Sequence, residues 1–421
     1  MSPVRPPVQL VGTRLDPATH RLRDFLTRIA QPYELLEQGS PEAEALLDAR
    51  SATGAEAPVL VDEDRVLAAV TIASLADAWG LSDPPPRSHY DLAIVGAGPA
   101  GLAAAVYAAS DGLATVLIEA DVPGGQASHT SLIENFFGFV DGIGGAELAR
   151  RAGRQAERFG ADLVLQRGVV GSSITAAGRE QLTLAGGHAL TADVVIAATG
   201  MVWRQLSLAG INELLERGVY YGAGRSEAAQ CGGDDVIVIG AGNSAGQAAM
   251  NLADAGARVA LVVRGEGLGK SMSAYLVRRI EAHPLIETHL RTEVSELHET
   301  GGRLAAVTLV DAGGSSERRV TGALFICIGG KPRTGWAAET GVRTDPAGYI
   351  LTGADLLSEG RRPDGWPLDR DPLPLETTVP GLFAAGDVRS GSIKRVGGAV
   401  GEGSMAVALV HRRLEELARE A

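Results

Sequence analysis

Two cysteines, Cys231 and Cys327, are all that a chain of 421 residues carries. So few exclude a disulfide framework, and no His/Cys cluster has the spacing of a metal site. Aromatic residues make up only 4%, too few for the stacking platforms of single-strand nucleic-acid binders. Positive charge is in deficit: 38 Lys and Arg against 51 Asp and Glu leave a net charge of -13. Such a surface repels phosphate backbones, so no nucleic-acid partner is expected. No apolar run approaches the ~18 residues that cross a bilayer. The stretch Met1-Ser2-Pro3-Val4-Arg5-Pro6-Pro7 lacks the apolar core of a secretory signal. The expectation is a soluble cytoplasmic protein with no membrane partner.

What is abundant is glycine, 55 residues in a sequence 45% hydrophobic, a composition that suits a loop-rich α/β protein of several domains. The clearest boundary is Asp83-Pro84-Pro85-Pro86-Arg87-Ser88, where consecutive prolines hold the chain extended. It separates a unit over 1–82 from the rest, with a linker over 83–89. That unit opens on the strand-like Val8-Gln9-Leu10-Val11. A helix follows with Leu22, Phe25, Leu26 and Ile29 on one face, then a second strand at Tyr33-Glu34-Leu35-Leu36. A hairpin is expected across Asp62-Glu63-Asp64, from Pro58-Val59-Leu60-Val61 to Val66–Val70, with a closing helix from Ile72 to Trp79. The order βαβ then ββα resembles the thioredoxin/glutaredoxin fold, with Ala57-Pro58 at that fold's cis-proline. Arg14 to Thr19, where active members of the fold carry Cys-x-x-Cys, contains no cysteine. The resemblance therefore implies a docking or dimerisation module, or a degenerate remnant of that fold, that cannot exchange disulfides by itself.

Two glycine loops follow. Asp91-Leu92-Ala93-Ile94-Val95 runs into Gly96-Ala97-Gly98-Pro99-Ala100-Gly101. There Gly96 serves the tight turn, Gly98 the close approach to a pyrophosphate and Gly101 the packing of helix on strand. Glu119, closing the next strand, would accept hydrogen bonds from ribose hydroxyls. Val236-Ile237-Val238-Ile239 runs into Gly240-Ala241-Gly242-Asn243-Ser244-Ala245, a second dinucleotide fingerprint with alanine in the third glycine's place. The strand after it ends in Arg264, where an arginine suits the 2′-phosphate of NADPH. Lys270 and Ser271 could assist, and NADH stays open.

From residue 90 onward the chain resembles the low-molecular-weight thioredoxin reductase family of flavoproteins. The motifs are Gly124-Gly125-Gln126, Ile133-Glu134-Asn135-Phe136, Ala198-Thr199-Gly200, Phe325-Ile326-Cys327-Ile328-Gly329 and Gly381-Leu382-Phe383-Ala384-Ala385-Gly386-Asp387. Lys394-Arg395-Val396 stands where the family's Arg-Gln-Ala meets the flavin. The resemblance implies FAD held by Gly96, Gly98, Pro99, Ala100, Gly101, Glu119, Gly125, Gln126, Asn135, Thr199, Gly200, Gly386, Asp387, Arg395 and Val396. It implies NAD(P)H held by Gly240, Gly242, Asn243, Ser244, Ala245, Arg264, Lys270 and Gly329. The expected fold is α/β. Two Rossmann-like, three-layer ββα sandwich domains bind the nucleotides: a discontinuous FAD domain over 90–205 and 323–421, and an NAD(P)H domain over 206–322. The thioredoxin-like unit precedes them, and a homodimer follows from the resemblance.

One family feature is missing. Gly222 and Arg225 occupy the places of the dithiol that takes electrons from the flavin. A single thiol such as Cys231 cannot form the intramolecular disulfide of that cycle, and Cys327 reads as core. Hydride would therefore pass from NAD(P)H to the flavin N5 and onward to an unidentified acceptor: a redox protein, a quinone or a small disulfide. The alternatives are a thioredoxin-disulfide reductase by family similarity, a ferredoxin- or quinone-type reductase, and a flavin-holding sensor module. No general acid or base is assigned, although His129, near Gln126, could approach the ring.

Overall fold

The computed structural model describes residues 6–14, 16–130, 132–175, 179–222, 231–270 and 272–420, so Arg225 lies outside the described residues. In the N-terminal unit the strands run in the order Tyr33–Glu37, Val8–Gly12, Val59–Asp62, Arg65–Leu67. The first pair is parallel and the other two are antiparallel. Helices Pro17–Arg28 and Ile72–Ala78 bury Leu22, Phe25, Leu26 and Leu75 against Val8, Leu10 and Leu60. Asp16 caps the first of these helices by accepting from Thr19 N at 2.8 Å, satisfying an amide left open in the first turn. The Ala57–Pro58 peptide is cis, at the expected place.

Between the two halves of this unit stands a helix the sequence pattern did not reveal, Pro41–Ala49. Ser40 caps it and Pro41 begins it. Only Ala43 is buried in it, so it carries no apolar stripe to betray its period.

The first of two larger α/β domains is a sheet in the order Asp162–Val164, Thr115–Ile118, His89–Val95, Ala189–Ala197, with Leu382–Ala384 also parallel to the last of these. The hairpin Glu180–Leu184 and Val169–Ile174 continues the sheet antiparallel. Helices Pro99–Ser110, Gly145–Phe159 and Val396–Glu420 cover one face through small residues, among them Ala104, Ala105, Ala108 and Ala406. The other face buries Leu182, Leu184 and Ile350 against Ala93, Val95 and Val116.

The second domain repeats this plan. Its parallel sheet runs Val219–Tyr221, Ala323–Ile326, Asp235–Ile239, Arg258–Val263, Ile286–Leu290. Helices Asn243–Asp254 and Ala274–Ala282 lie on one face. On the other lies the antiparallel meander Thr292–Thr300, Arg303–Asp311, Ser316–Val320, packing Val294, Leu304, Val307 and Leu309 on Ile237 and Val262.

Strand pairing corrects the expected return to the first domain at residue 323. Ala323–Ile326 pairs parallel with both Val219–Tyr221 and Asp235–Ile239, so its hydrogen bonds place it inside the second sheet. The chain crosses at a two-stranded strap in which Met201–Trp203 runs antiparallel to Gly330–Pro332. Among the described residues, no helix is long and apolar enough to cross a membrane.

Candidate functional site

Each glycine loop joins a strand to a helix, and its shape follows from steric limits on the backbone. Gly96 has φ +106°, a region that side chains avoid. A Cβ there would lie 2.4 Å from Ala198 O, and one on Gly101 would lie 1.8 Å from Gly96 O. A Cβ on Gly98, by contrast, would meet no atom within 4 Å, because that glycine opens on a cavity. The second loop is built alike: Gly240 has φ +141° with Cys327 O at 2.3 Å from its would-be Cβ, while Gly242 is open. Gly98 and Gly242 are the N-caps of helices Pro99–Ser110 and Asn243–Asp254, and neither helix has a side-chain cap. The first-turn amides and the positive end of each helix dipole are thus left for an anionic ligand.

Both loops open on one cavity of about 1030 Å³. On the first side it is lined by Gly98, Pro99, Ala100, Glu119, Gly125, Gln126, Asn135, Thr199, Gly200, Gly386, Asp387, Arg395 and Val396. On the second side it is lined by Gly240, Gly242, Asn243, Ser244, Arg264 and Gly329. Gly96, Gly101 and Ala245 stand behind the loops, where they set the turns and the helix packing. Lys270 is exposed and is not among the residues lining the cavity.

The carboxylates are fixed by local structure. Glu119 accepts from Ala97 N at 2.7 Å and from Asp121 N at 3.0 Å. Burial pushes its carboxyl up, and the two amides oppose that shift. Asp387 follows Gly386, whose amide donates to Glu402 at 2.7 Å. Glu402 is also paired with Arg389, which ties the loop to the long C-terminal helix. Burial raises the Asp387 carboxyl, against the hydrogen bond that Ser392 Oγ donates to it at 3.2 Å.

Residues that sequence reasoning passed over also line the cavity: Arg28, Trp203, Tyr221, Tyr275 and Arg333, beside Lys394 of the expected flavin segment. Lys394 donates to Tyr349 Oη at 2.7 Å and its ammonium lies 4.3 Å from that ring's centre. Gln126 Nε2 donates to Met201 O at 2.9 Å, joining the 124–129 turn to the interdomain strap. His129 does reach the cavity, edge-on to Trp203 with ring centres 6.5 Å apart. The two domains are tied across the cavity as well. Arg279 reaches both oxygens of Glu134 at 2.9 and 2.8 Å, and Arg395 donates to Ser273 Oγ at 3.3 Å.

Of the dithiol positions, Gly222 is described, with φ +80° and Trp203 against it. Cys231 is buried in the core of the second domain. Cys327 is buried too, but it sits just past the end of its strand and lines the cavity, so it is more than packing. Burial pushes its thiol up to about 12.

The family model described as pyridine nucleotide-disulphide oxidoreductase matches residues 90–403. The thioredoxin reductase of Bacillus subtilis (strain 168) is 34% identical over 331 residues, 78% of this chain and 96% of that protein. The thioredoxin reductase of Listeria innocua serovar 6a is 33% identical over 335 residues, 78% of this chain and 95% of that protein. Among solved structures, Lactococcus lactis thioredoxin reductase in its FR conformation superposes with a TM-score of 0.68 at 28% identity, over 78% of this chain and 99% of that one.

Proposed function

The chain belongs to the pyridine nucleotide-disulphide oxidoreductase family and is an FAD-dependent oxidoreductase, and on that premise we propose that it passes electrons from NAD(P)H through FAD directly to an external acceptor, with no internal dithiol. The observation that carries this reading is the single cavity on which both glycine loops open, with a glycine and an indole where the family's first cysteine would stand. The residues present fit two dinucleotides: two uncapped helix N-termini for pyrophosphates, an open glycine at each, and Glu119 and Asp387 for sugar hydroxyls. When bound, the flavin would supply the chemistry, taking a hydride from the reduced nicotinamide and giving up two electrons afterwards.

The protein's share is positioning. The first loop and Glu119 would hold the adenosine half of FAD, with Gln126, Asn135, Asp387, Arg395 and Val396 around its remainder. The second loop would hold NAD(P)H, with Arg264 favouring the 2′-phosphate of NADPH. The interdomain contacts Arg279–Glu134 and Arg395–Ser273 keep the two loops facing one space.

Thioredoxin reduction through Cys231 is the weaker reading, because that thiol is buried in an apolar core. For the N-terminal unit we propose the thioredoxin/glutaredoxin fold. Its support is the parallel pair beside two antiparallel pairs and helices Pro17–Arg28 and Ile72–Ala78 packed on one face.

Anaerobic mixing with NADPH and with NADH tests the reading. The oxidised-flavin absorbance should bleach with at least one of them, and an oxidised quinone or redox protein should restore it. Failure of both nucleotides to bleach the flavin defeats the proposal.

A further inference from the structure

Helix Pro17–Arg28 of the N-terminal unit lies on both nucleotide domains at once. Near its start, the His20 ring stands 5.3 Å from the Tyr220 ring, and Arg21 donates to Glu216 at 2.7 Å. Both partners belong to the second domain. At its end, Arg28 pairs with Asp121 and donates to Ser128 Oγ at 3.3 Å, while Asp24 stands 3.9 Å from His129. These partners belong to the first domain. Val122 of the first domain is buried in the N-terminal unit's own core.

Where this helix sits is informative. Tyr220 is two residues before Gly222, the first of the places the family gives to its dithiol. The helix itself begins within Arg14–Thr19, the stretch where active members of the thioredoxin fold carry theirs. Its contacts with the second domain, made by His20 and Arg21, thus lie one and two residues past the stretch that would have been reactive in the unit, and one of them meets Tyr220 close before Gly222; none of these contact residues is a cysteine.

We propose that the N-terminal unit is a thioredoxin-like partner made permanent: cysteines were lost on both sides of the contact, and the docking was kept as a clamp. The clamp holds the second domain against the first in the arrangement where both glycine loops share one cavity, and it occupies the surface a free thioredoxin would need. Arg28, whose side chain is 12% exposed, is its inner anchor, and Arg21–Glu216 is its outer one. The proposal rests on the reading of the cavity as the shared site of FAD and NAD(P)H.

The test uses the full FAD-loaded chain carrying Arg21→Cys and Glu216→Cys, treated with a short bis-maleimide. Neither residue lines the cavity. The expected result is an intramolecular link seen by intact mass, with flavin reduction by NAD(P)H changed less than about twofold, since the linked geometry is already the working one. No intramolecular link overturns the docking. A link that slows reduction about tenfold or more overturns the clamp, because productive reduction would then require the unit to move away. As a second arm, Arg21→Glu should lower the flavin reduction rate at saturating nucleotide and Arg21→Glu/Glu216→Arg should restore it, which loss of folding would not do. Rates identical in all three proteins also overturn the clamp. An unlinked parent that neither nucleotide reduces speaks against the cavity reading instead, while linking still reports on the docking.

Discussion

Gly222 and Trp203 crowd any side chain placed between them. Gly222 has φ +80°, and a Cβ built on it would lie 3.2 Å from Trp203 Cζ2. The loss of the family's first cysteine is therefore more than a substitution, since both the backbone conformation and the Trp203 indole now disfavour a side chain there.

Restoring the motif should fail. Gly222→Cys places a side chain in the left-handed region and against an indole, a cost of about 1–3 kcal/mol. The double variant Gly222→Cys/Arg225→Cys is expected to melt at a lower temperature and to reduce no thioredoxin when assayed with NADPH. Thioredoxin turnover comparable to that of a dithiol-bearing relative would show that the segment accepts the motif after all.

Cys327 should be inert although it lines the cavity. Burial holds its thiol up to about 12, so the nucleophilic thiolate is nearly absent at neutral pH. Iodoacetamide at pH 8 should label it only after unfolding. The same shift carries a sign. The unfolded thiol ionises near the ordinary value of 9.0 while the folded one stays protonated to about 12. Its contribution to stability is therefore whole below pH 9 and declines as pH rises from there toward 12. Urea unfolding at pH 8 and pH 10 should show a larger loss for the wild type than for Cys327→Ala.

Arg264 should decide the nucleotide. Its side chain is exposed at the cavity edge, where its guanidinium would meet a 2′-phosphate and leave a 2′-hydroxyl unaffected. Arg264→Ala should lower kcat/KM for NADPH by the roughly 1.5–3 kcal/mol of a charge-assisted contact, with NADH changed little. Equal effects on both nucleotides would remove Arg264 from the discriminating role.

Arg370 should be a structural keystone. It pairs with Glu376, whose side chain is wholly buried, and with Glu416 on the C-terminal helix. Both partners raise its pKa against the opposing effect of burial. Arg370→Met leaves the Glu376 carboxylate buried without its cation, a loss of about 3–5 kcal/mol, to be measured by chemical denaturation. A change below about 1 kcal/mol, the worth of an ordinary hydrogen bond, would mean that Glu376 is satisfied by the amides of Leu373 and Gly381.

The glycine loops were legible because the demands on Gly96, Gly98 and Gly101 are local: one turn, one open approach and one helix packed on one strand. Glu119 was legible for the same reason, lying at the end of the next strand. Within 358–374, a stretch without helix or strand, Arg370 and Leu373 reach inward to partners far along the chain, which no local pattern announces. Helix Pro41–Ala49 was missed because its single buried residue leaves no apolar period.

By itself the sequence determined the presence of two dinucleotide loops, the lack of a dithiol between them and the separate character of the first 82 residues. All three are matters of residue identity and near spacing, which the backbone reads within a few bonds. Tertiary structure alone decided that Ala323–Ile326 joins the second sheet, that both loops open on one cavity, and that Arg28 and Trp203 help to wall it. Strand pairing and cavity walls bring together residues far apart in the chain, and their partners are selected by packing rather than by any pattern legible along the sequence.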